Sequence, residues 1–156
     1  PDIRTMLTRW AEDDDEATEA YLRLMELAAA EKDWPTVARN SDRYLAVNPL
    51  VAPPYRYQAQ AAAGMGDDST AVVAWRTLLQ LDVPERVDGH YELAKLLHKR
   101  GDDGEARRQV LLALEETPRY REALRLLLDL ERTRADKVKD SVAPDALVPE
   151  RKPANR

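Results

Sequence analysis

Few residues in this chain could do chemistry. His90 and His98 are its two histidines, and they stand eight positions apart. On one helix that spacing is about 12 Å by rise, too far for both rings to hold one metal ion. No His-Glu-x-x-His motif occurs, so a zinc hydrolase has no ligand set here. Ser41 has no histidine near it in sequence and reads as a packing residue rather than a nucleophile. Gly64-Met65-Gly66 is too short for a phosphate-cradling loop or a nucleophile elbow, and reads as a turn. The acidic run Glu12-Asp13-Asp14-Asp15-Glu16 lacks the alternating ligands and the glycine of an EF-hand loop. It reads as a solvated linker whose last acids favour the start of the next helix. Cysteine is absent, which excludes disulfides, thiolate zinc sites, iron–sulfur clusters and cysteine nucleophiles. The expectation is a protein that is not an enzyme, with no catalytic, cofactor-binding or metal-ligating set.

The elements that would position any site must come from 156 residues, 44% hydrophobic and 34% charged. That is one domain or a short row of repeats with a well-solvated surface. With no phenylalanine, the large core side chains must be Leu, Tyr, Trp and Met. Trp10, Trp34 and Trp75 are expected in the core or as wedges between helices. No apolar run reaches the ~20 residues of a membrane span. The net charge of -5 argues against general nucleic-acid binding. The deficit lies in residues 1–78, with 8 Lys+Arg against 13 Asp+Glu; residues 79–156 carry 16 of each. Because the chain opens on Pro1 with no signal-like stretch, it reads as a piece of a longer protein. The lack of cysteine fits a reducing cytoplasm and a periplasm equally, so the compartment stays open.

Two periods run through the sequence. The inner one is helical: Tyr21, Leu24, Leu27 and Ala28 share one stripe, and Leu124, Leu127, Leu128 and Leu130 another. Nothing alternates with period two, so strands are not expected. The outer period is marked by Pro49, Pro84 and Pro118, separated by 35 and 34 residues. Proline cannot continue a helix and disfavours helical geometry just before it, so these sites read as helix ends. Midway between them lie Lys32-Asp33-Trp34-Pro35, Gly66-Asp67 and Gly101-Asp102, each opening a second helix. Pro35 suits a first turn, and Asp102 with Glu105 has capping-box spacing.

A pair of helices repeated at this period is a helical-hairpin solenoid. The unit resembles the tetratricopeptide repeat (TPR). Ala106, Val110, Ala113, Leu114 and Pro118 match the spacing of that family's second helix. Ala71, Trp75, Leu78, Leu79 and Pro84 match with one extra residue, and Val37, Ser41, Tyr44, Leu45 and Pro49 match in spacing alone. The small residue of the first helix is Ala59 or Ala94, with Met25 in its place in the first unit. The resemblance implies an all-α superhelix of about three TPR-like hairpins over residues 17–135, with residues 121–135 as a capping helix. Residues 1–16 would be an N-terminal helix (Ile3, Met6, Leu7, Trp10) and the acidic linker. Residues 136–156, charged and holding Pro144, Pro149 and Pro153, are expected to be a largely disordered tail with a short helical extension before Ser141.

In the TPR family the first helices line a concave groove through their second, fifth, ninth and twelfth places. With units starting at Thr18, Ala52, Val87 and Arg121, that rule selects Glu19, Leu22, Glu26 and Ala29 in the first unit. It then selects Arg56 and Gln60, next Tyr91, Lys95 and His98 with Lys99 beside them, and last Arg125, Asp129 and Arg132. The resemblance thus implies a non-catalytic scaffold that binds a protein or peptide segment, with a basic later groove suited to an acidic partner. The chaperone-tail-binding branch uses a Lys-Asn pair where this chain has Leu22 and Glu26, so recognition of that kind is not expected. The alternative is an accessory segment of a larger bacterial enzyme, such as a peptidase or hydrolase, packing on a catalytic domain of the same chain.

Overall fold

The computed structural model describes residues 2–81, 84 and 86–142. Among them lie eight helices and no strand: α1 (Ile3–Asp13), α2 (Thr18–Ala30), α3 (Trp34–Val47), α4 (Ala52–Gly64), α5 (Asp68–Gln80), α6 (Arg86–Lys99), α7 (Asp103–Glu116) and α8 (Arg121–Val142). Helices α2–α3, α4–α5 and α6–α7 are the three hairpins, flanked by α1 and α8.

Each first helix of a hairpin stops in the same way. Lys32, Gly66 and Gly101 have φ of 59°, 82° and 83°. The N–H of the following aspartate donates to the carbonyl of Ala28, Ala62 or Leu97 at 2.9, 2.8 and 2.9 Å. The left-handed residue itself donates to Ala29, Ala63 or His98 at 3.1, 3.1 and 2.9 Å. These two bonds satisfy carbonyls that a helix end would otherwise leave orphaned. The outer period of the sequence is therefore a backbone motif, repeated three times. Asp33 and Asp67 then cap the second helices, accepting from the N–H of Thr36 and Thr70 at 3.3 and 3.0 Å. Both carboxyls are held below their ordinary value by hydrogen bonds from those threonines.

The capping box expected at Asp102 and Glu105 does not form. Asp102 makes no side-chain cap bond. Glu105 instead receives both of its 2.8 Å bonds from Arg76 on α5. One charged Arg76 nitrogen, shared between the two carboxylate oxygens, is a stronger partner than one backbone N–H, and that wins the side chain.

Packing follows the small residues. Ala59, Ala71, Ala94, Ala106 and Ala113 are all fully buried, as is Met25. Ser41 is buried too and donates to the carbonyl of Ala38 at 2.7 Å, which makes it the packing residue expected. One apolar cluster runs from Ala59 to Leu130, a second joins Met25, Ala28 and Val37 to Ala61, and a third joins Ala11 to Tyr21 and Leu24. The core is a row of adjoining contacts between neighbours, as a solenoid requires.

Gly64, expected only as part of a turn, also has a packing role. A Cβ there would stand 2.3 Å from the Trp34 indole, so the missing side chain is what admits that ring. Trp34 is thus the inter-helix wedge expected, and Trp75 is in the core. Trp10 is not: it is exposed on α1, because no helix among the described residues lies over that side of α1. At the other end, α8 runs on as helix through residues 136–142, into the stretch read as tail. Lys137 reaches the Asp103 carboxylate at 2.6 Å and ties this extension to the third hairpin. The rest of the tail, 143–156, lies outside the described residues.

Two stability measurements check this account. Lys32 holds a backbone conformation that costs a non-glycine residue ~1–2 kcal/mol, part of which glycine gives back as entropy of the unfolded chain. Lys32→Gly is therefore expected to raise the urea midpoint by the equivalent of roughly 0.5–1 kcal/mol. Ala94→Leu and Ala106→Leu are each expected to overpack and cost ~1–3 kcal/mol in the same denaturation series. Unchanged midpoints for both would contradict the close approach of the helices at those positions.

Candidate partner-binding site

Among the described residues, first helices meet each other (α2 with α4, α6 with α8), whereas second helices α3, α5 and α7 do not. The middle pair of first helices, α4 and α6, does not meet among the described residues. The predicted site residues lie on α2, α4, α6 and α8.

The best-formed part lies between α6 and α8. The rings of Tyr91 and Tyr120 stand 5.1 Å apart and tilted by 54°. The Lys95 ammonium lies 4.8 Å from the Tyr91 ring centroid and 2.8 Å from Glu92. Tyr120 donates its hydroxyl to Asp88 at 3.4 Å. Burial first, and the Asp88 charge second, push the Tyr120 phenol up to about 12. The tyrosine therefore stays a neutral donor, and the pair forms an aromatic wall with an exposed cation on it.

The other predicted residues divide. Arg125 is exposed on α8 with no ion pair among the described residues. Asp129 and Arg132 face each other at 3.7 Å. Gln60 is exposed, and Arg56 is half-buried with its guanidinium 5.8 Å from the Tyr57 ring. In the first unit, Glu19 and Glu26 are both bound to Arg23, at 3.3 and 2.8 Å.

His98 and Lys99 are occupied structurally. The His98 Nδ1 stands 2.7 Å from the Asp103 carboxylate, and Lys99 is 2.7 Å from Asp68. Asp68 opens α5 and Asp103 opens α7, and a lysine from the following first helix reaches each of them: Lys99 on α6, Lys137 on α8. These ion pairs brace successive hairpins at matching places. The doubled aspartate after Gly66 and Gly101 was the available signal for them. His90, the other histidine, is buried, its Nδ1 2.7 Å from the Gln109 Oε1. No group of three or more His, Asp or Glu side chains among the described residues could hold a metal ion. No helix among them is long and apolar enough to cross a membrane.

Solved structures with this architecture are TPR proteins. The MamA protein superposes with a TM-score of 0.77 at 15% identity, covering 94% of this chain and 87% of that one. The Sgt2 TPR domain from Aspergillus fumigatus gives 0.71 at 15% identity, covering 88% and 91%. The Arabidopsis OM64 TPR domain gives 0.69 at 16% identity, covering 76% and 98%. No protein-family model and no curated protein matches the sequence. The fold is that of a TPR solenoid, reached with little sequence identity to these structures.

The brace at Asp103 makes a pH prediction. Its carboxyl lies below the ordinary 3.8, through the hydrogen bond from Lys137 first and that from His98 next, against the effect of burial. Such a group adds stability that is fully present above the unfolded-state value and is lost as pH falls through the folded-state value. At neutral pH Asp103→Asn should be the less stable protein. Between about pH 5 and pH 3 the wild-type urea midpoint should fall further than the variant's. Parallel acid limbs would show that this carboxylate does not carry the brace.

Proposed function

We propose that the chain is a non-catalytic protein-interaction domain that holds a peptide or protein segment on its inner, concave face. The fold supports this reading, since a stack of helix pairs presents one long preformed surface and needs no reordering to bind. The observation that carries it is the Tyr91–Tyr120 wall with the exposed cation Lys95 on it; Arg125 is a second exposed cation, on α8. Aromatic rings give apolar contact at little entropic cost, and adjacent cations select carboxylates. The partner we infer is an acidic segment whose apolar side chains lie on the tyrosines and whose carboxylates meet Lys95 and Arg125. The Lys95–Glu92 pair does not oppose this, because an exposed ion pair is worth ~0–1 kcal/mol and exchanges readily.

Arg56, Gln60 and the Asp129–Arg132 pair would extend this surface to either side. His98 and Lys99 enter it as supports that hold α6 against its neighbours. Selection of a displayed random peptide library on the immobilised chain should enrich acidic sequences with aromatic or aliphatic residues interspersed. The double variant Lys95→Glu, Arg125→Glu should then lose the selected peptides, while its melting temperature stays close to wild type. Undiminished affinity in that variant would remove this surface from consideration.

A further inference from the structure

The cleft between α1 and α3 breaks a pattern that the rest of the stack keeps. Thr8, Asp42 and Arg76 stand 34 residues apart, on α1, α3 and α5. Asp42 accepts from Gln58 of α4 at 2.9 Å, and Arg76 donates to Glu105 of α7 at 2.8 Å. Asn40 and Gln109 share a second register, each seven places after the aspartate of its turn. Gln109 meets His90 of α6 at 2.7 Å. At these places the later helices match their polar side chains to one another. The first cleft does not. The Thr8 hydroxyl makes no hydrogen bond among the described residues. Asn40 turns its amide back to its own helix and donates to the Thr36 carbonyl at 2.8 Å.

Three arginines gather where that matching is missing. Arg4, Thr8 and Glu12 of α1 and Arg39, Asn40 and Arg43 of α3 line a cleft of about 290 Å³. Buried Ala11 and Leu24 supply its apolar lining. Ala11 belongs to the same stripe of α1 and packs with Tyr21 and Leu24 of α2, so this stripe is turned into the stack. Residues 1–78 hold only 8 Lys+Arg against 13 Asp+Glu, yet three of those eight cations meet here. The nearby carboxylates leave two of the three guanidiniums unmatched. Glu12 shares the lining, and exposed Glu31 stands 2.8 Å from Arg4. Asp33 is committed to capping α3 at Thr36. Asp15 and Glu16 line an adjoining cleft that Arg43 also borders. Arg39 bonds only to the Thr36 hydroxyl, at 3.3 Å, and neither Arg39 nor Arg43 has an ion pair among the described residues.

We propose that this cleft binds a phosphoryl group, brought either by a small free phosphate or by a phosphorylated side chain of another protein. Guanidiniums from two helices can donate to different oxygens of a tetrahedral group, whereas a carboxylate offers two oxygens in one plane. A phosphomonoester also brings about two negative charges at neutral pH. It would take the place of Glu31 at Arg4, since an exposed ion pair of that kind exchanges readily. Arg39 and Arg43 would then find the partner they lack, with the Thr8 hydroxyl as a further donor. Glu12 opposes the anion and is outweighed by the three cations. The cleft belongs to α1, α2 and α3, so it is independent of the reading of the Tyr91–Tyr120 wall between α6 and α8.

Titration of the isotope-labelled 156-residue chain with inorganic phosphate, N-acetyl-phosphoserine amide and acetate, at constant ionic strength, tests this by NMR. Both phosphates are expected to shift amides of α1 and α3 saturably, and acetate to bind at least about tenfold more weakly. Tighter binding of the blocked phosphoserine would assign the group to a phosphorylated protein, and tighter binding of inorganic phosphate to a small free phosphate. Arg39→Gln and Arg43→Gln should each weaken the phosphates roughly tenfold, and Glu12→Gln should tighten them. Arg108→Gln changes the place in α7 that Arg39 holds in α3, and should leave the affinity as it is. All four side chains are exposed, so circular dichroism melts should match wild type. Arg39→Lys or Arg43→Lys, with a smaller loss, replaces a glutamine variant that does not fold. Shifts that fail to saturate overturn the proposal. So does acetate binding as tightly as phosphate, or full affinity in the arginine variants.

Discussion

Close approach of helices at small, fully buried side chains is the constraint that the rest of this structure obeys. Ala59, Ala71, Ala94, Ala106 and Ala113 leave no room for anything larger, and Gly64 leaves room only for the Trp34 ring. Where axes come that close, neighbouring large residues such as Tyr21, Trp75 and Leu97 must fill the space to either side. Interiors packed to this density do not deform gradually. The spacing of successive hairpins is therefore fixed by contacts within the stack.

Charge has a second part in holding that geometry. The pairs Lys99–Asp68 and Lys137–Asp103 join the starts of α5 and α7 to the first helix that follows each. Each acid also sits in the first turn of its helix, where the helix dipole favours it. Exposed pairs of this sort add little stability one at a time. Their value here is directional, because they oppose sliding of one hairpin along the next. Many of the charges that make the sequence look like a solvated surface are in this sense structural.

The sequence made the hairpins legible because their signals are local. A proline after a helix, a glycine at a left-handed turn and an alanine at a close approach act through their own backbone or their nearest neighbours. Lys32 shows the limit of such signals, since it takes the left-handed place that glycine takes in the other two turns. The candidate site was less legible. Whether Glu105 caps α7 or binds Arg76, and whether His98 faces a groove or Asp103, depends on side chains brought near only by the stack. Tyr120 belongs to a connection between repeats, where a rule restricted to first helices could not select it. Trp10 carries the residue type of a core position and stands at its register. It stays exposed because α2 alone packs on α1 among the described residues, which the pattern within α1 does not show.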